Sequence, residues 1–216
     1  MQIIQDFIQA GRRNRPGGKN GLKFITIHNT GNANRGAGAA AHAAYVKSAE
    51  AADLPVSWHY TIDEGVIYQH LPDTETAYHA GDGSGPGNTQ SIGIEICENI
   101  DGNLLGATNN AVMLVAQLCR KYSIPVQNVV QHNRWSGKDC PYQLRRDKPY
   151  SWAEFLVKVG GLSSTSPNEA TVINALADGI ITDRAYWLGV LNGTIVANPA
   201  YIKIALDNAH KKIRGS

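Results

Sequence analysis

The chain contains the stretch Phe24-Ile25-Thr26-Ile27-His28, in which Ile25 and Ile27 alternate with the other three residues. Alternation with a period of two predicts a β-strand. A second stretch, Ser91-Ile92-Gly93-Ile94-Glu95-Ile96-Cys97, alternates in the same way, with its three isoleucines on one face. Each predicted strand therefore carries one chemically useful side chain, His28 or Glu95, on the face opposite its isoleucines.

Further elements surround these two strands. Trp58 to Gln69 predicts a hairpin around the turn Asp63-Glu64-Gly65. Alanine-rich Gly38–Ser48 predicts a helix, in which we expect His42 to be a packed or polar helix position. Three more elements are predicted: a helix at Thr108–Ser123, a strand at Val126–Gln131 and a helix at Ser151–Val159.

The last quarter of the chain has a different character. Gly160 to Thr165 is rich in Gly and Ser, as flexible linkers are. After it, Ser166-Pro167-Asn168-Glu169 predicts a capped helix that stops near Gly179, and two helices should follow, at Asp183–Leu191 and from Asn198-Pro199 onward. We therefore expect a first domain at 1–160, a linker at 161–166 and a small all-α bundle at 167–216.

Three distant residues could form a metal site. His28 ends a predicted strand, His132 follows another, and Cys140 lies eight residues further on. Two imidazoles and a thiolate suit Zn²⁺ better than Mg²⁺ or Ca²⁺, and three protein ligands leave a position for water, as in catalytic sites. The spacing alone also permits a hydrogen-bonded His132 and a small buried Cys140 without any metal.

Five segments in order resemble one known family. They are Phe24–Thr30, Trp58–Gly65, Ala77-Tyr78-His79-Ala80-Gly81, Asn88–Glu95, and His132-Asn133 through Lys138-Asp139-Cys140-Pro141. Together they resemble the zinc-dependent N-acetylmuramoyl-L-alanine amidases, which share a fold with peptidoglycan recognition proteins and phage lysins. The resemblance covers roughly Met1 to Leu156. It implies an α/β fold with a mixed central β-sheet flanked by helices.

The resemblance also implies roles for individual residues. Zn²⁺ would be held by His28, His132 and Cys140, with Glu95 as general base and Lys138 stabilising the oxyanion. We place His79, Trp58 and Asn29 at the substrate. Some members of the family have a catalytic tyrosine where this chain has Trp58. We therefore expect proton transfer to depend on Glu95.

Composition limits the partners. The net charge of +2 comes without a dense basic stripe, so we expect no nucleic-acid partner. The three cysteines, Cys97, Cys119 and Cys140, have no paired spacing and favour synthesis in a reducing compartment. We interpret the N-terminal residues as neither a signal peptide nor a membrane anchor. These features resemble a phage or prophage endolysin, which stays in the host cytoplasm until it is released onto the cell wall.

Other functions stay open. The same fold includes recognition modules that bind peptidoglycan without cutting it, and a bacterial autolysin would have the same catalytic residues. A protein that uses a metal only for folding would leave Glu95 and Lys138 unexplained. The C-terminal bundle could bind a secondary wall polymer through Tyr186, Trp187 and Tyr201, form a homodimer, or pack on the first domain.

Overall fold

The computed structural model describes residues 2–163, 171–172, 175–191 and 195–214. The chain separates into two compact units, Met1–Ser163 and Ser164–Ser216. Among the described residues, no helix is both long enough and apolar enough to cross a membrane.

The first unit is built on a mixed six-stranded sheet. Its strands are β1 (Ile3–Gln5), β2 (Phe24–Asn29), β3 (Tyr60–Ile62), β4 (Ile67–Gln69), β5 (Ser91–Ile96) and β6 (Val129–Gln131). They lie in the order β1-β4-β3-β5-β2-β6. Only the β3–β4 hairpin is antiparallel, and the other neighbours run parallel. The predicted α/β class, the two alternating strands and the hairpin are confirmed.

Helices cover the sheet. They are α1 (Ala39–Val46), α2 (Ala49–Ala52), α3 (Pro86–Thr89), α4 (Leu104–Tyr122), α5 (Asn133–Ser136) and α6 (Trp152–Ser163), with 3₁₀ turns at Val126–Asn128 and Leu144–Arg146. Isoleucines of β2 and β5 form the main core with α4 and α6. Cys119 of α4 belongs to this core and is 4% exposed.

Three neighbouring parallel strands position the candidate site residues. Because β5, β2 and β6 run in the same direction, their carboxyl ends meet at one edge of the sheet, where open α/β sheets bind ligands. His28 is the residue before the end of β2, and Glu95 lies directly beside it on β5. His132 follows β6, and its N–H donates to the carbonyl of Ile27 at 3.2 Å.

Three predicted elements differ from the structure, and the first is the helix expected at Thr108–Ser123, which begins one turn earlier, at Leu104. Val126–Gln131 was expected to be one strand, but its first half is a 3₁₀ turn that follows Pro125, and only Val129–Gln131 pair with β2. The helix expected to end at Val159 continues through Gly160 to Ser163. Leu162 packs against the main core, and Arg120 donates to its carbonyl at 2.5 Å. These contacts offset the low helix propensity of glycine.

The described part of the second unit contains helices joined by turns and irregular segments. Its helices include α7 (Arg184–Leu191) and α8 (Pro199–Arg214), as predicted. Asp183 accepts a hydrogen bond from the N–H of Tyr186, and Asn198 from that of Ala200, so both act as N-terminal caps. Helical residues also occur at 175–177, before Gly179, whose φ is +68°. The predicted capping box at 166–169 lies outside the described residues.

Candidate active site

The three predicted ligands meet in the structure. Ligand atoms of His28, His132 and Cys140 all lie within 4.8 Å of one another, and all three residues are buried. The Sγ of Cys140 is 3.8 Å from Nδ1 of His28. The segment after β6 makes this possible by folding back, because the N–H of Asn133 donates to the Cys140 carbonyl at 3.0 Å.

Each imidazole uses its Nε2 within the protein. The Nε2 of His132 donates to the carbonyl of Ala80 at 3.0 Å, and Nε2 of His28 is 3.0 Å from Nδ1 of His79. With the proton on Nε2, each ring keeps its Nδ1 lone pair for the space between the three residues. The buried Nδ1 of His132 has no hydrogen-bond partner within the described part of the chain. Burial lowers the pKa of both rings, so both are neutral near pH 7.

Glu95 faces this group. One carboxylate oxygen is 3.8 Å from Nδ1 of His28, and 16% of its side chain is exposed. Burial raises the pKa of Glu95 to about 8, although the nearby Lys138 opposes that rise and Glu98 adds to it. The other oxygen is buried and lacks a partner among the described residues. Burial on this side of the sheet therefore favours the neutral form of the Glu95 carboxyl group.

Lys138 completes one cleft. The cleft has a volume of about 580 Å³ and is lined by His28, Glu95, His132 and Lys138, among other residues. A tight turn joins the Cys140 N–H to the Lys138 carbonyl at 2.8 Å. The side-chain amide of Asn133 donates to the carbonyls of Gly137 and Lys138, each at 3.0 Å. These contacts hold the base of the loop that carries the lysine.

The predicted substrate residues have different surroundings. Trp58 is largely buried, but it lines both the cleft and an adjoining groove beside α1, where His42 and Tyr45 also lie. His79 lines the cleft and also contacts His28. Asn29 is 7% exposed and bonds within the protein, donating to Ile96 and accepting from Gln143. Substrate contact by these three residues stays a prediction.

Sequence reasoning missed the backbone of Ala80 and the side chain of Asn88. Ala80 contacts His132 through its carbonyl, and Asn88 accepts from the N–H groups of both His79 and Ala80. One feature of the sequence could have indicated Asn88: asparagine favours turns, and Asn88 directly follows the glycine-rich stretch 83–87. Pairing of that asparagine with a segment eight residues earlier cannot be read from the sequence pattern.

The donor set fits a metal. Two neutral imidazoles and a thiol converge with buried lone pairs, and the rest of each imidazole is fixed by a hydrogen bond, as is usual for metal-binding histidines. A carboxyl group and an ammonium group share the same cleft. The fold and this site define the class of hydrolases with a metal-ligand triad at the end of a mixed α/β sheet.

Comparison with known proteins identifies the family within this class. Residues 18–143 match the family model described as N-acetylmuramoyl-L-alanine amidase, and the chain belongs to that family. It is 50% identical over 161 residues to the amidase XlyA of Bacillus subtilis, covering 74% of this chain and 52% of XlyA. It is 45% identical over 182 residues to the amidase CwlH of the same species, covering 84% of this chain and 70% of CwlH.

Solved structures agree with the fold. The catalytic domain of XlyA superposes with a TM-score of 0.69 at 49% identity, covering 74% of this chain and all of that domain. The structure of PlyL superposes with a TM-score of 0.66 at 35% identity, covering 74% of this chain and 97% of PlyL. The chain spans about half the length of XlyA.

Proposed function

We propose that the protein is a peptidoglycan hydrolase that cuts the amide bond between the lactyl group of N-acetylmuramic acid and L-alanine of the stem peptide. The observation that carries this proposal is the convergence of His28, His132 and Cys140 beside Glu95 and Lys138. Membership of the amidase family supports the same bond type.

Zn²⁺ is the proposed metal, held by His28, His132 and Cys140. When bound, zinc polarises a carbonyl and lowers the pKa of water to about 7. Mixed nitrogen and sulfur ligands favour zinc over the oxygen-seeking Mg²⁺ and Ca²⁺. The buried lone pair of His132 Nδ1 supports the presence of a cation between these residues.

Glu95 is the proposed general base. Its carboxylate would accept a proton from the attacking water and pass that proton to the departing amine of L-alanine. The position of Glu95 supports both transfers, because its carboxylate lies on the same sheet face as His28 and at the wall of the cleft. A raised pKa suits a group that must both take and return a proton near pH 7.

Lys138 is proposed to stabilise the negative charge that develops on the lactyl oxygen. Lys138 is exposed and lines the same cleft as Glu95 and His132. Groups in such a role contribute about 10²–10³ in rate. Trp58 and His79 line the cleft and are proposed to contact the substrate there. Asn29 is also proposed to contact the substrate.

The second unit is proposed to help the enzyme find the wall. Tyr186, Trp187 and Tyr201 line a groove of about 250 Å³ within this unit, beside Asp183 and Asn208. Aromatic faces next to polar groups suit stacking on the sugars of a wall polymer. Homodimer formation is the competing proposal for the same unit.

We further propose that the protein acts as a phage or prophage endolysin that lyses its host from within, with a bacterial autolysin as the alternative. The proposed partner is peptidoglycan, reached after release from the host cytoplasm. Supporting this, a solved structure entitled "Mutant endolysin from Bacillus subtilis" matches at 49% identity and a TM-score of 0.69.

The test is product analysis on purified bacterial murein with the full chain. Zinc-loaded protein should release new L-alanine amino termini and no new reducing sugar ends, while chelated protein and the Glu95→Ala variant should release neither. Binding to several murein types without new amino termini would instead indicate a recognition module. New reducing ends would indicate a glycosidase and would refute the proposal.

A further inference from the structure

One segment contacts both histidine ligands. The side chain of His79 contacts His28 and the carbonyl of the next residue, Ala80, accepts from His132, each at 3.0 Å. The two ligands come from different parts of the chain, one on β2 and one after β6. A shift of this single segment would therefore change the orientation of both rings together.

Asn88 holds this segment. Its Oδ1 accepts from the N–H of His79 and from the N–H of Ala80, both at 2.8 Å. Its Nδ2 donates to the carbonyl of Gly83 at 2.9 Å, and its own N–H donates to Asp82 at 3.1 Å. Asn88 is 4% exposed, so water cannot readily replace these bonds.

Packing leaves the segment little freedom to move. A Cβ on Gly93 would lie 2.6 Å from the His79 ring, and a Cβ on Gly87 would lie 2.5 Å from the Ala80 side chain. The strand β5 and the helix α3 thus press on the two residues that Asn88 holds. The two hydrogen bonds that the side-chain oxygen of Asn88 accepts then fix the position of His79 and Ala80 relative to β2 and β6.

We propose that Asn88 is a positioning residue that aligns His28 and His132 for metal binding through the backbone of His79 and Ala80. The inference rests on the proposed metal site. Asn88 lies at the wall of the cleft, and its side chain bonds to the backbone of the segment rather than to a ligand atom. It therefore acts through His79 and Ala80, whose contacts orient the rings of His28 and His132. Partners of this kind typically change metal affinity 10–100-fold when they are removed, and we expect the same range here.

The test uses the full chain and four variants. Asn88→Ala removes both accepted bonds, whereas Asn88→Asp keeps an oxygen for them and loses the bond donated to Gly83. Asn14→Ala is the matched control, because the Asn14 side chain is also buried and donates to the carbonyl of Val46 rather than to the segment or a ligand. His79→Ala removes only the path to His28. Asn88→Asp carries the test of Asn88 if Asn88→Ala does not fold.

Zinc affinity is measured by competition with a chromogenic chelator, and urea unfolding of the metal-free proteins reports whether each variant is folded. We expect Asn88→Ala to bind zinc about 10–100-fold more weakly than wild type. Asn88→Asp should lie between the two, and Asn14→Ala should bind zinc like wild type. Equal affinities for Asn88→Ala and wild type, or equal losses for Asn88→Ala and Asn14→Ala, would overturn the proposal.

A second readout does not need metal or catalysis. Nitrogen-15 NMR of the metal-free protein shows which ring nitrogen of His28 and His132 carries the proton. We expect Nε2–H for both in wild type and a mixture of tautomers in Asn88→Ala. Unchanged tautomers in that variant would refute the role of Asn88, whereas failure of the amidase proposal would appear separately, as zinc binding without murein cleavage.

Discussion

Gly93 is predicted to be required because of His79. The three atoms nearest to a Cβ at position 93 all belong to the His79 ring, at 2.6, 2.7 and 2.9 Å. Ordinary carbon contacts lie at about 3.5–4.0 Å, so in Gly93→Ala the ring must retreat by roughly 1 Å. A shift of that size would disturb the 3.0 Å contact between His79 and His28, because hydrogen bonds depend steeply on distance and angle.

The loss of stability expected for Gly93→Ala follows from these contacts. Forcing a methyl group into such a packed position typically costs about 1–3 kcal/mol of unfolding free energy. In a His79→Ala background the obstacle is gone, and replacing a strand glycine by alanine should then stabilise the protein by about 0.5–1 kcal/mol. The Gly93→Ala substitution is therefore expected to lower the free energy of unfolding in the wild-type background and to raise it in the His79→Ala background.

Urea unfolding of the four metal-free proteins measures this double-mutant cycle. A cost of Gly93→Ala that is the same with and without the His79 ring would refute the reasoning, because the overlap could not then be its cause. Zinc affinity should fall in Gly93→Ala but change little when the same substitution is added to His79→Ala.

Three further predictions concern activity and pH. Glu95→Gln should slow amide hydrolysis by about 10²–10⁴ while murein sedimentation still shows binding, and a loss below tenfold would contradict its role as base. Lys138→Ala should lower kcat by about 10²–10³ with unchanged zinc content, and loss of zinc would indicate a structural role instead. Burial raises the pKa of Asp73, but hydrogen bonds from Tyr60, Tyr122 and Lys121 outweigh burial and hold that pKa below its ordinary value. The stability from Asp73 is therefore present above about pH 3.9 and is lost as pH falls through the lower folded pKa, so the unfolding free energies of wild type and Asp73→Asn should converge on acidification. Divergence on acidification would contradict this.

The sequence correctly predicted which face of each strand a side chain occupies, but it did not predict which groups surround Glu95. The alternation in β2 and β5 correctly placed His28 and Glu95 opposite the isoleucines. Those isoleucines do not surround Glu95, because they lie on the other side of the sheet, in the core with α4. Glu95 is instead buried beside His28, its partner in the strand pairing. Which side chains surround a residue on its own face depends on strand order, and local patterning does not contain that information.

The convergence of His28, His132 and Cys140 could be predicted because the resemblance identified these residues one by one. The hydrogen bonds that orient them could not, because the one to His132 comes from a backbone carbonyl, Ala80, that any residue would supply. Asn88 is similar, since its amide pairs with backbone groups rather than with a recognisable side-chain partner. Such contacts depend on how a loop lies against the sheet.

The end of α6 has a practical consequence for exchanging modules. Glycines at 160 and 161 suggest a convenient joining point, yet the helix runs through them, and Leu162 both packs against the core and accepts from Arg120. A chimaera joined at residue 160 would remove a piece of the catalytic unit's own interior and leave Arg120 without this acceptor. A junction after Ser163 would keep that unit whole, and a foreign wall-targeting module could then be attached without disturbing the sheet that carries the site.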